Sequence, residues 1–192
     1  MVATPQTKRY TAEEYLALEA EADTRSEFID GEIVPMAGGT PEHNAIVSAL
    51  NALLWFALRG KPYQVFTADQ RVYLPAQDKY VYPDVVVVAE PIELSEGRKD
   101  TITNPLLIVE VLSDSTKDKD RGDKFVAYRT IPTFREYLLV DQYSVQVEHY
   151  VKQADNRWLL TEYNRKDAVI ALASVPVELS LADVYENVAL PE

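Results

Sequence analysis

Asp84 follows Pro83 at the mouth of a run of four valines, and Glu110 sits inside the apolar segment LLIVEVL. An ionised carboxylate buried without a partner is very unfavourable. Glu110 therefore requires a cation, a hydrogen-bond network or a raised pKa. Strand alternation puts it on the same side as Leu106, Ile108 and Leu112. One buried acid alone fits an internal salt bridge equally well. Two acids on neighbouring strands about 4.8 Å apart can instead share one hard cation, which cancels their repulsion. Oxygen-only ligation suits Mg2+ or Mn2+.

A lysine supplies the third element. If a helix begins near Lys117 or Asp118, then Asp120, Lys124 and Tyr128 recur every four residues along one face. From there Lys124 can reach over the sheet towards Glu110, orient an attacking water or stabilise charge growing on a phosphate. Lysine in a charged helix is ordinarily solvated, and Asp120 and Asp123 offer it partners.

Composition narrows the chemistry. The 192 residues suit one domain with its own core. The chain has no cysteine, which excludes disulfides, thiolate zinc sites and cysteine nucleophiles. Two histidines, His43 and His149, leave little room for a histidine-rich metal centre. The 19 basic and 31 acidic residues give a net charge of −12, which disfavours an extended polyanion as partner. The first 25 residues lack the apolar core of a signal peptide, and no run of about 18 apolar residues could span a membrane. The expectation is a cytoplasmic protein with no membrane partner.

The elements that must position these residues follow from periodicity. Thr11 and Glu14 open a short helix in which Tyr15 and Leu18 share a face, and Asp30-Gly31 marks a hairpin. Thr40 and Pro41 start a helix running to about Arg59, with Ile46, Leu50, Leu53, Leu54 and Ala57 as its apolar stripe and Gly60 as its stop. Trp55 is expected in that helix core and Trp158 in the core of a later meander. The segments YQVFTADQRVYL, YVYPDVVVVAE and NPLLIVEVLS read as strands, the last two apolar on both faces as central strands are. After the charged helix, REYLLVD, SVQVEHYV and RWLLTEYN read as an antiparallel meander, followed by a last strand and short helix. These elements describe an α+β (mixed α/β) domain with a central mixed sheet flanked by helices.

The order Pro83-Asp84, Glu110 in a buried strand, then a lysine resembles the PD-(D/E)XK signature of metal-dependent nucleases. The wider pattern is similar to the Uma-two family of restriction endonucleases, abundant in cyanobacteria. The matching segments are SEFIDGEIVPM, the helix start at His43, YPDVVVV, IVEVLSDST, DRGDKFVAY from Asp120 to Tyr128, and EYLLVD. Leu112 stands where an ExK motif places its lysine. In the resembling family the lysine has migrated to the following helix, and Lys124 matches it. The resemblance also implies an acid or histidine from the first core helix, a place His43 fits, and an early acid matched by Glu27.

The resemblance implies a restriction endonuclease-like core over residues 40–140, with an N-terminal helix and hairpin in 1–36 and an antiparallel extension in 141–192. It implies phosphodiester hydrolysis of nucleic acid, with DNA foremost, by a homodimer. Asp84, Glu110 and a backbone carbonyl near Val111 would hold Mg2+ or Mn2+, Lys124 would assist the water, and His43 would contact a metal-bound water or the phosphate. A surface-packed capping histidine is the alternative for His43. Two other functions compete: a nuclease fold that has lost catalysis and binds as a dimer, and a hydrolase of a smaller phosphate ester.

Overall fold

The computed structural model describes residues 8–36, 38–114 and 116–190. Residues 1–7, at the head of the expected N-terminal unit, and Ser115, inside the IVEVLSDST segment, lie outside that set, as do Ala37, Pro191 and Glu192.

Local chemistry starts both long helices. In α1 (Ala12–Glu21) the Thr11 hydroxyl accepts from the Glu14 N–H while the Glu14 carboxylate accepts from the Thr11 N–H. The Thr40 hydroxyl caps α2 (Pro41–Leu58) by accepting from the His43 N–H, and Gly60 turns the chain beyond it at φ +76°. Between the helices, β1 (Ser26–Ile29) and β2 (Glu32–Pro35) form a hairpin. Asp30 and Gly31, at φ 52° and 83°, give its turn the twist a two-residue connection needs.

The strands that follow are β3 (Tyr63–Thr67), β4 (Arg71–Leu74), β5 (Lys79–Val81), β6 (Val85–Ala89), β7 (Thr101–Ile102) and β8 (Pro105–Leu112). A helical stretch then comprises α3 (Lys117–Lys119), a π-helical turn (Asp120–Lys124) and α4 (Phe125–Tyr128). The chain continues through β9 (Glu136–Asp141), β10 (Val147–Lys152), β11 (Trp158–Tyr163), the hairpin β12 (Val169–Ala171) and β13 (Glu178–Ser180), and α5 (Leu181–Val184).

The architecture is α+β, with mixed sheets flanked by helices. One sheet runs β11-β10-β9-β8-β6-β3 and a smaller one β2-β1-β5-β4-β7. The segments YQVFTADQRVYL and YVYPDVVVVAE, each read as a single strand-like unit, divide between the two sheets: β3 and β6 join the larger, β4 and β5 the smaller. Asp84 therefore lies at the crossing from one sheet to the other. As expected, β6 and β8 are central, and β9 to β11 form the antiparallel meander; β6 and β8 pair antiparallel.

Two main cores result. Ile46, Leu50, Leu54 and Leu58 of α2 pack on one face of the larger sheet with Val109, Val111 and the C-terminal hairpin. On its other face, Ile108 and Leu112 meet Val72 and Val81 of the smaller sheet and Phe125 and Tyr128 of α4. α1 covers the outside of the smaller sheet through Tyr15, which stacks on Phe28 at 5.2 Å.

Four packing expectations fare differently. Trp55 is 54 % exposed and not in the core, because the buried stripe of α2 repeats strictly every four residues and Trp55 lies one step round from Leu54. Leu18 is exposed beside buried Tyr15; Glu19 takes the inner place, accepting from the Tyr82 hydroxyl and the Ser26 N–H. Leu106 packs with the core opposite to that of Ile108, since the β6–β8 register is irregular between Val87 and Val88. Trp158 does pack inward, edge-on to Phe125 at 5.2 Å. Among the described residues no helix is long and apolar enough to cross a membrane.

Candidate active site

Asp84 and Glu110 come together because β6 and β8 are neighbours. The Asp84 N–H points at Glu110 Oε2 at 3.4 Å, and the Val111 N–H donates to Asp84 Oδ2 at 2.7 Å. Each acid is thus held by the backbone of the strand that carries the other. Glu110 is 3 % exposed, whereas Asp84 keeps contact with solvent.

Lys124 enters from the helical stretch, only 9 % exposed. Its ammonium lies 3.1 Å from Glu27, 3.3 Å from Asp120 and 3.5 Å from Glu110. Glu27 arrives from β1, anchored by the Tyr82 N–H at 3.3 Å. The Tyr128 hydroxyl donates to Glu110 Oε1 at 2.8 Å. The π-helical turn brings Asp120, Lys124 and Tyr128 to the same acid cluster; such turns recur where a helix must present function.

Charge at this cluster does not balance. Glu27, Glu110 and Asp120 face one ammonium, while Asp84 lies between Glu110 and His43. Burial opposes the charged form of Lys124, yet Glu110, Glu27 and Asp120 together hold its pKa well above the ordinary lysine value. Burial drives the Glu110 carboxyl well up; Lys124 opposes this, and the neighbouring acids add to the rise. Burial likewise raises Asp120, whose Oδ1 makes no hydrogen bond of good geometry among the described residues despite its ion pair with Lys124.

His43 stands at the first turn of α2 with Nε2 3.3 Å from Asp84 Oδ2. Burial works against the imidazolium, but the hydrogen bond and charge of Asp84 more than offset it, so the pKa is raised. Among the described residues Nδ1 makes no hydrogen bond of good geometry. Gly39 backs onto this ring so closely that a Cβ there would lie 2.7 Å from Nδ1.

Asp84, Glu110, Lys124, His43, Glu27 and Tyr128 therefore lie in one cluster. Val111 contributes its N–H to Asp84. Asp120 completes the cluster; its four-residue spacing from Lys124 was the signal for it. Two other cations of the helical stretch are engaged elsewhere, Arg121 by Glu148 at 2.7 Å and Lys117 by Asp114 at 2.9 Å. His149, which carried no sequence signal, is buried against Glu136 at 2.5 Å, and Glu136 also accepts from the Ala173 and Ser174 N–H groups.

Among the described residues no three acids or histidines converge into a ready-made cation cage. The donors available are the Asp84 and Glu110 carboxylates. That set fits a hard cation that keeps most of its water and takes one or two carboxylates, and the surplus of buried negative charge favours it.

The family profile described as "Putative restriction endonuclease", Uma2, matches residues 12–184. The chain belongs to the Uma2 family. Two proteins of Synechocystis sp. are similar along nearly their whole length: uncharacterized protein sll1609, 42 % identical over 92 % of this chain and 100 % of that one, and uncharacterized protein slr1290, 34 % identical over 94 % of each. Among solved structures, one described as a putative nuclease belonging to DUF820 from Anabaena variabilis superposes with a TM-score of 0.75. It is 20 % identical, covering 92 % of this chain and 97 % of the other, and shows the Uma2 chain to share its fold.

Proposed function

We propose that this chain is a cation-dependent nuclease that hydrolyses phosphodiester bonds of nucleic acid, foremost DNA, with Mg2+ or Mn2+ held by Asp84 and Glu110. The observation that carries the proposal is the convergence of Glu27, Glu110 and Asp120 on the single ammonium of Lys124, with Asp84 held against Glu110 by its own N–H. A divalent cation bound there would supply Lewis-acid polarisation of the phosphate and a more acidic water. The chain does the rest. The Val111 N–H fixes Asp84, and the Tyr128 hydroxyl fixes Glu110, leaving Oε2 turned towards Asp84. Lys124, kept charged by its acids, orients the attacking water or steadies charge on the phosphate. His43, whose pKa Asp84 raises, stands where it can pass a proton to a phosphate oxygen or to a water.

The test is hydrolysis of DNA and RNA strands with Mg2+ or Mn2+, with Glu110→Ala and Lys124→Ala as controls. Activity that survives Glu110→Ala would remove the assignment. A second reading has its own support: Glu110 Oε1 is already satisfied by Tyr128 and Lys124, as in a closed structural network. On that reading the fold binds without catalysis, and divalent cations neither activate nor stabilise it. Both readings carry a homodimer, and sedimentation as a monomer at working concentration would remove the dimer from either.

A further inference from the structure

A cleft of about 300 Å3 opens between the smaller sheet and the helical stretch, and Lys124 forms part of its wall. We propose that this cleft is a pocket for one unstacked nucleobase of a single-stranded nucleic acid, next to the phosphate to be cut. The inference rests on the nuclease reading for its location and on the cleft itself for its chemistry.

Volume and lining favour a base. The space lies at the lower end of those that hold small ligands, roughly 300–1,000 Å3, and is far too small for a duplex. Its floor is apolar: Ile29, Val34, Leu74, Val81 and Ala127, against which a flat ring can shed water.

The rim argues for a base edge over a phosphate. It carries Arg9, Lys79, Lys119 and Lys124 against Asp30, Glu32 and Asp123; with the Lys124 ammonium taken up by Glu27, Asp120 and Glu110, three charges of each sign remain. A phosphate subsite needs an excess of cations. A balanced set of donors and acceptors suits a Watson–Crick edge, which offers both. Part of this rim is already ordered: Lys79 pairs with Asp30 at 3.1 Å, and the Arg9 guanidinium donates to the Asp30 carbonyl.

Location links the cleft to the chemistry. The stem of Lys124 lines the cleft while its ammonium stands 3.5 Å from Glu110. A base in the cleft would lie one side chain away from the carboxylate pair. A chain of net charge −12 gains little from many phosphate contacts, so a substrate held by a base and one phosphate suits it better than a long duplex.

The test measures binding of a short fluorescent oligonucleotide by anisotropy in chelator, so that no turnover occurs. The single strand should bind about tenfold more tightly than the same sequence in a perfect duplex, and than a fully abasic strand of equal length. Val34→Phe, which fills the cleft from an edge strand, should abolish the advantage of the single strand. Equal affinity for the three ligands, or wild-type binding by folded Val34→Phe, would overturn the pocket. Glu32→Ala and Asp123→Asn, both exposed, test the rim even if Val34→Phe does not fold. They should change the order of affinity among the four homopolymer strands, and an unchanged order would count against the pocket. If the strand binds as expected but is not cut when Mg2+ is restored, the nuclease reading fails and the pocket stands.

Discussion

The Val111 N–H donates to Asp84 Oδ2 at 2.7 Å, so the strand that carries Glu110 also fixes the other carboxylate. Asp84 is therefore set by β6–β8 pairing, whereas Glu110 is also held by Tyr128 of the helical stretch that delivers Lys124. Substitutions on the sheet and on the helix should behave differently.

On the helix, Lys124→Ala leaves Glu27, Glu110 and Asp120 without their ammonium. Activity with Mg2+ should fall by roughly 10²–10⁴-fold. Stability at neutral pH should fall too, since removing one partner strands buried charge. Lys124→Met should lose as much activity while retaining the packing of the stem. Urea melts alongside rate assays on both variants check this.

At the sheet, Mg2+ should raise the melting temperature of the wild-type protein in a concentration-dependent way, because binding to the folded state alone stabilises it. Asp84→Asn should lose that response while keeping the fold. Thermal melts in chelator and in rising Mg2+ decide the point, and an identical shift in both proteins would move the cation elsewhere.

Gly39→Ala would place a Cβ 2.7 Å from the His43 ring, and the imidazole must turn. The raised pKa of His43 depends on Asp84, so turning it away should return the pKa towards the ordinary histidine value. The acidic partner of the pH–rate profile should then titrate at lower pH. An unchanged profile would show that His43 takes no part.

Glu136 gives a prediction away from the site. Burial pushes its carboxyl up, but the hydrogen bonds from His149, Ser174 and the backbone outweigh burial and leave the pKa lowered. A depressed folded-state pKa adds stability above the unfolded value of about 4.3, and that stability is lost as pH falls through the lower folded one. Glu136→Gln should therefore destabilise at neutral pH and flatten the acid limb of the stability profile. Urea midpoints from pH 7 to pH 3 measure both effects.

Much of this site was legible because its strongest signals are local. Glu110 announces itself as an acid in an apolar strand, and Thr40-Pro41 announces the helix start that seats His43. Lys124 and Tyr128 were legible as one helix face. What alternation could not show was partition between sheets: YVYPDVVVV reads as one strand, and only tertiary pairing divides it at Asp84. Glu27 stayed without a role for the same reason, since its contact with Lys124 spans 97 positions of sequence and depends on how the two sheets face each other. Trp55 was misplaced because composition favours burying an aromatic, whereas the helix geometry had already filled that face with Leu50, Leu54 and Leu58.

The ammonium of Lys124 touches Glu27 on the smaller sheet and Glu110 on the larger one. One nitrogen thus ties together, by charge, two layers that also share an apolar core. Acylating it would undo that tie as well as erase a charge. The rate at which an amine reagent labels Lys124 consequently clocks how often the ammonium leaves its acids, a timing measurement that needs neither substrate nor cation.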